Sequence, residues 1–201
     1  MRGLLVDFGG VLTTNVFHSF RRFGEREGLD PDRVKRLFRD DPEALRDLRQ
    51  LERGELSEDD FSRRFGDRLG VEDTTDLVNR LFAELGPDDA MIEAVRTARS
   101  EGVRTGLISN SWGAGRYDRS VFPDLFDGVV ISGEVGLHKP QPEIYELGAE
   151  RVGLPAAECV FVDDLRENCD GAEAVGMIAV LHRGAERTVP ELEQLLDVTL
   201  R

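Results

Sequence analysis

The strongest constraint on the fold is an alternation of short apolar runs with longer amphipathic stretches through the C-terminal half of the chain. Residues 103–108, 128–131, 159–162 and 177–181 form runs of strand length. Between them, residues 88–100, 142–152 and 165–175 carry apolar side chains at helical spacing. Another apolar run opens the chain at residues 4–8, and residues 189–196 read as a closing helix. Strands separated by helices of this length are joined by crossovers, so they pair in parallel and take helices on both faces. The pattern predicts an α/β protein with a doubly wound, Rossmann-like parallel sheet.

Residues 15–87 break that alternation. They hold no convincing strand, and Gly28, Pro31, Pro42, Gly54 and Gly70 punctuate them into about four helices. One begins at Ser57-Glu-Asp-Asp60, an N-cap with acids in the first turn, followed by Phe61, Phe65 and Leu69 at helical spacing. The expected organisation is a core of residues 1–14 and 88–201, interrupted just after its first strand by a helical insertion at 15–87. A chain of 201 residues has room for one medium domain carrying such an insertion.

Several function classes drop out on composition. No apolar run approaches the roughly 18–20 residues of a membrane span. The N-terminus, Met1-Arg2 followed directly by an apolar strand, lacks the pattern of a signal peptide, so a cytoplasmic protein is expected. A net charge of −14 repels nucleic-acid backbones. The same field means that a phosphorylated ligand needs local positive charge. Of 26 basic residues only Lys35 and Lys139 are lysines. Cys159 and Cys169 fall in a strand and the following helix without zinc-ligand spacing, and read as reduced core residues.

Four segments carry chemistry. Asp7 ends the first strand just before Gly9 and Gly10, where open α/β sheets place functional groups and where glycine permits a tight turn; capping that turn is its plainer role. Ser109-Asn110-Ser111 ends the second strand and suits either a helix N-cap or an anion cradle, or both at once. Lys139 lies between Gly136 and the helix start at Pro142, held at a junction instead of free on a surface. Asp163 and Asp164 end the fourth strand. Adjacent carboxylates repel unless a cation sits between them and other acids, and Asp7 and Asp164 at neighbouring strand ends would make a hard oxygen site suited to Mg²⁺. The plainer alternative is a pair capping the next helix.

In this order and spacing the four segments resemble the haloacid dehalogenase superfamily of aspartate-nucleophile hydrolases, and the insertion resembles that family's helical cap. The chain is similar in particular to the N-terminal phosphatase domain of soluble epoxide hydrolases. The likeness rests on Ser109-Asn-Ser-Trp112, Val135-Gly-Leu-His-Lys-Pro140, Phe161-Val-Asp-Asp164 with Asn168, Gly176-Met177 and, in the insertion, Arg53-Gly-Glu-Leu-Ser57. It covers essentially the whole chain. The resemblance implies a Mg²⁺-dependent phosphatase of a small phosphorylated metabolite, working through an aspartyl-phosphate. It implies Asp7 as nucleophile, and Asp7, the Gly9 carbonyl and Asp164 as Mg²⁺ ligands. Ser109, Asn110 and Lys139 are implied to hold the phosphate, with Asp163 and Asn168 flanking the metal and ordering its water.

One position departs from the pattern. The family's usual motif has a second Asp two residues after the nucleophile as general acid and base, and this chain has Gly9. Loss of such a group costs about 10²- to 10⁴-fold for leaving groups that need a proton. Two other readings follow. One is a metal-free haloacid dehalogenase, which the Asp163-Asp164 pair argues against. The other is a catalytically impaired relative that binds a phosphorylated ligand or a partner protein, which Gly9 favours. His18, at the start of the insertion, is a candidate proton donor, although its place suits a helix-surface histidine better. The sequence carries no signal for oligomeric state.

Overall fold

The computed structural model describes residues 1–112 and 117–200. In chain order the described residues form β1 (Gly3–Val6), α1 (Val16–Arg26), α2 (Arg33–Asp40), α3 (Pro42–Glu52), α4 (Glu58–Leu69), α5 (Leu77–Leu81), α6 (Asp89–Ser100) and β2 (Arg104–Ser109). There follow α7 (Phe122–Leu125), β3 (Gly128–Ile131), α8 (Ser132–Val135), α9 (Pro142–Val152), β4 (Cys159–Asp163), α10 (Arg166–Ala174), β5 (Ile178–Leu181) and α11 (Ala185–Leu196). The strands make one parallel sheet in the order β3-β2-β1-β4-β5. The fold is therefore the expected α/β, doubly wound one.

Strand β1 is central because both of its faces are apolar. Leu4 and Val6 join Met91 and Val95 of α6 and Leu192 of α11 in one layer. Leu5, pointing the other way, joins Ile144 and Tyr145 of α9 and Phe161 of β4. Gly148 lets α9 sit close on the sheet, since a Cβ there would lie 2.4 Å from Ile108 Cδ1. Cys159 and Cys169 are buried and free. No helix among the described residues is long and apolar enough to cross a membrane.

Helices α1 to α5 gather around a separate cluster that includes Phe20, Phe23, Phe61, Phe65 and Leu77. Ser57 caps α4 as its sequence suggests, its Oγ accepting the Asp60 N–H at 3.1 Å. The described residues of this segment make five helices, against the expected four or so. The short α5 is entered through a left-handed Asp76 (φ 51°) with no glycine or proline to mark it. Where the chain leaves and rejoins the sheet, Thr13 bridges Pro87 in antiparallel fashion. The Thr14 N–H donates to Gly86 O at 2.8 Å and the Asp88 N–H to Leu12 O at 2.9 Å. Helix α11 starts at Ala185 instead of residue 189 and takes Pro190 inside it. Pro190 is the sixth residue of that helix and leaves Glu186 O without the N–H that would donate to it, so here the proline does not mark the helix start.

Candidate active site

The parallel register brings three strand ends to one edge. Val6 lies beside Leu107 of β2 and Val162 of β4, and the Asp7 N–H donates to Val162 O at 2.9 Å. Asp7 and Asp163 are therefore neighbours, with Ser109 at the end of β2 on the other side. Beyond Asp7 the chain turns through Gly10 (φ 79°), whose N–H donates to Thr13 Oγ1 at 2.9 Å. A Cβ on Gly10 would lie 2.6 Å from Asp164 Oδ2, so the Asp164 carboxylate approaches this loop only because the position is glycine.

Lys139 ties the cluster together. Its Nζ lies 2.8 Å from Asp7 Oδ1 and 2.6 Å from Asp163 Oδ2, with the side chain fully buried. Asn110 holds the lysine backbone from both sides. Its Oδ1 accepts the Lys139 N–H at 2.8 Å and its Nδ2 donates to Lys139 O at 3.1 Å. Asp163 also accepts from the Leu165 N–H at 2.9 Å and from Asn168 Nδ2 at 3.0 Å. Asp163 is thus a buried anchor for Lys139 and for the start of α10.

Carboxylate oxygens of Asp7, Asp163 and Asp164 lie within 4.8 Å of one another. Burial pushes the Asp7 carboxyl up to about 7, against the pull of Lys139 and reinforced by Asp163 and Asp164. Burial, with Asp163 adding, brings Asp164 to about 6. Burial works against the charge of Lys139 too, yet Asp163 and Asp7 hold it above an ordinary lysine. Three crowded carboxylates against one contacting ammonium leave negative charge uncompensated. An all-oxygen donor set of this kind fits a hard divalent cation such as Mg²⁺. Asp163 is engaged with Lys139 and Asn168, whereas Asp7, Gly9 and Asp164 border a cavity.

That cavity, about 870 Å³, lies between the sheet edge and the helical insertion. Its polar floor includes Ser109, Asn110, Lys139 and Asn168 beside the two acids. Its walls are apolar and come largely from the insertion, among them Phe17, Phe20, Leu48, Phe82 and Leu85. Trp112, just past β2, sets its ring 5.7 Å from Phe20 and 5.0 Å from Phe82, joining the two parts of the molecule. Ser109 Oγ pairs with the Tyr117 hydroxyl at 3.0 Å, and burial raises the pKa of that hydroxyl.

The residues singled out from the sequence thus converge on one floor, with Asp163 buried beneath it. His18 is exposed on α1 and does not line the cavity, as a helix-surface histidine should. The helix that Ser109, Asn110 and Ser111 would cap leads into residues 113–116, which lie outside the described residues. Among the polar cavity residues that escaped the sequence reading are Tyr117 and Glu52. Tyr117 follows no motif. Glu52 immediately precedes Arg53-Gly-Glu-Leu-Ser57 and looks like any helix-end acid, yet it is buried, and burial pushes its carboxyl up to about 8.

Known proteins resemble this chain in sequence and in fold. Residues 1–176 match the family of haloacid dehalogenase-like hydrolases. The chain is 31% identical over 152 residues to the sesquiterpene phosphatase astK of Aspergillus oryzae, covering 73% of this chain and 78% of that protein. It is 25% identical over 128 residues to the bifunctional epoxide hydrolase 2 of Rattus norvegicus, covering 60% of this chain but only 23% of that much longer protein. A HAD family enzyme of Bacteroides thetaiotaomicron, solved with magnesium and inorganic phosphate, shares the fold with a TM-score of 0.64. Its identity is 20%, over 92% of this chain and 95% of that one. The chain belongs to the haloacid dehalogenase-like hydrolases.

Proposed function

We propose that this hydrolase is a Mg²⁺-dependent phosphatase that cleaves a small phosphate monoester with an apolar body, through an aspartyl-phosphate on Asp7. The observation that carries the reading is the contact of Asp7 with Lys139 at 2.8 Å, beside Asp164, on the floor of the cavity. A nucleophile, a cation for phosphoryl oxygens and hard metal ligands then share one surface.

Asp7, Asp164 and the Gly9 carbonyl would hold the cation, with Asp163 and Asn168 flanking it. Bound there, Mg²⁺ offsets charge on the phosphoryl oxygens and favours the ionised form of both carboxyls. Lys139, fixed by Asn110, presents its ammonium to the phosphoryl group. The Ser109 hydroxyl takes another oxygen. An Asp7 oxygen attacks phosphorus in line with the ester oxygen, the P–O ester bond breaks, and that oxygen departs with the bonding pair and becomes the alcohol once it takes up a proton. Water then cleaves the acyl phosphate and restores Asp7. The apolar body is supported by the phenylalanine-rich walls and by the likeness to a sesquiterpene phosphatase. A metal-free dehalogenase is disfavoured because Asp164 would face an anionic substrate with no cation between.

Release of inorganic phosphate from isoprenyl, alkyl, aryl and sugar phosphates, with Mg²⁺ and with chelator, tests the proposal. Apolar esters should lead in kcat/KM, and chelation should abolish turnover. Turnover that survives chelation overturns the metal dependence, and sugar phosphates in the lead overturn the apolar body. No release from any ester overturns the phosphatase reading.

A further inference from the structure

With glycine at position 9, the core lacks the acid that would protonate a departing oxygen. We infer that Glu52, at the C-terminal end of α3, supplies that proton from the insertion side of the cavity. The inference rests on the phosphatase reading above.

The Glu52 carboxyl borders the same cavity as Asp7, Ser109 and Lys139. It is buried, and among the described residues it has no hydrogen-bond or ion-pair partner. A buried carboxyl left unpaired is costly unless it stays protonated or a ligand completes it. Its position is held by backbone contacts instead. The Ser132 hydroxyl, at the start of α8, donates to Glu52 O at 2.5 Å and accepts the Ser111 N–H at 2.8 Å. Two residues on, Gly54 (φ 72°) packs so closely on the core that a Cβ would lie 2.9 Å from Gly133 O. The end of α3 is thereby docked on α8, directly after β3, with Glu52 among the residues that line the cavity.

The charge of Glu52 is sensed by Lys139, which favours ionisation, and by Asp7, which opposes it; Arg49 and Glu167 act more weakly in opposite senses. Burial outweighs these and keeps the carboxyl protonated at neutral pH. In the first step an Asp7 oxygen bonds to phosphorus, the ester P–O bond breaks, and the Glu52 proton passes to the departing oxygen to give the alcohol. In the second, water bonds to phosphorus and gives its proton to the Glu52 carboxylate as the Asp7–phosphorus bond breaks. Both residues return to their starting states.

The test compares alkyl and aryl phosphates in the unmodified protein, Glu52→Gln, and Gly9→Asp with Glu52→Gln. Aryl oxides leave without a proton, whereas alkoxides need one. The ratio of alkyl to aryl kcat/KM should fall by about 10²-fold or more in Glu52→Gln. The loss of alkyl turnover at high pH in the unmodified protein should also vanish. The double variant should regain alkyl turnover. Gly9 has no left-handed φ, and among the described residues a Cβ there meets only Val16 Cγ2, at 3.3 Å, which must give by a few tenths of an ångström. Glu52→Met, of similar length and without polar atoms, should repeat the change in ratio and serves if the amide is poorly accommodated. An unchanged ratio and pH profile in both single variants overturns the inference. An absence of Mg²⁺-dependent phosphate release in the unmodified protein instead overturns the phosphatase reading, before any variant is made.

Discussion

Asp7→Asn in the metal-free protein isolates the charge of Asp7 from its shape. In the folded chain the Asp7 carboxyl is raised from its ordinary 3.8 to about 7, chiefly by burial. Below the lower value both folded and unfolded chains hold the proton, so Asp7 leaves stability unchanged. Between the two values the unfolded chain releases a proton that the folded chain retains. Stability then falls with rising pH by about 1.4 kcal/mol per unit. Above about 7 the loss is complete and amounts to about 4 kcal/mol at most. Asparagine matches the neutral acid and carries no such penalty. For a chain of this length the gap corresponds to about 8–16 °C in melting temperature. Thermal melts in chelator, followed by circular dichroism from pH 4.5 to 8, should show Asp7→Asn gaining on the unmodified protein as pH rises. The variant should also release no phosphate. An unmodified protein at least as stable as the variant at pH 8 in chelator would refute the crowded, uncompensated cluster.

Two further outcomes follow from the same geometry. Mg²⁺ should raise the melting temperature, more at pH 8 than at pH 6 because its ligands must be deprotonated, and Asp164→Ala should abolish the shift; a shift that persists in the variant places the ion elsewhere. Gly10→Ala puts a methyl group 2.6 Å from Asp164 Oδ2 at a left-handed position, so melts should show a loss of about 1–3 kcal/mol and phosphate release should slow; wild-type stability and turnover would show that the loop moves aside freely.

The core of the molecule was legible because its elements carry local signals. Leu4, Leu5 and Val6 are apolar on both faces, which marks a central strand, and Asp7, Ser109 and Asp163 sit at strand ends where a parallel sheet gathers them. Lys139 stood out by its rarity and its place between Gly136 and Pro142. The partnership of Asn110 with the Lys139 backbone was not legible. A strand-end amide reads as a phosphate contact or a cap, and only the fold brings residue 139 to within 2.8 Å of it. Helix α5 was missed because Asp76, a residue that tolerates the left-handed region, does the work usually flagged by glycine.

The insertion hid its contribution for a physical reason. Helix α3 carries Glu43, Asp47 and Glu52, and periodicity alone does not say which acid turns inward. Asp47 is buried in ion pairs with Arg64 and Arg68, an ordinary way to compensate an inward acid, whereas Glu52 lines the cavity and its backbone carbonyl accepts from Ser132. An acid two residues from the nucleophile would travel with the core and be present whatever the insertion did. An acid on α3 reaches the departing oxygen only while that helix is docked on Ser132 and Gly133. Protonation of the leaving group would then be coupled to the same contact that sets the apolar walls of the insertion over the polar floor. On the inferred role of Glu52, the proton donor sits on the insertion instead of at position 9, and cleavage of esters that need the proton depends on α3 staying docked on Ser132 and Gly133.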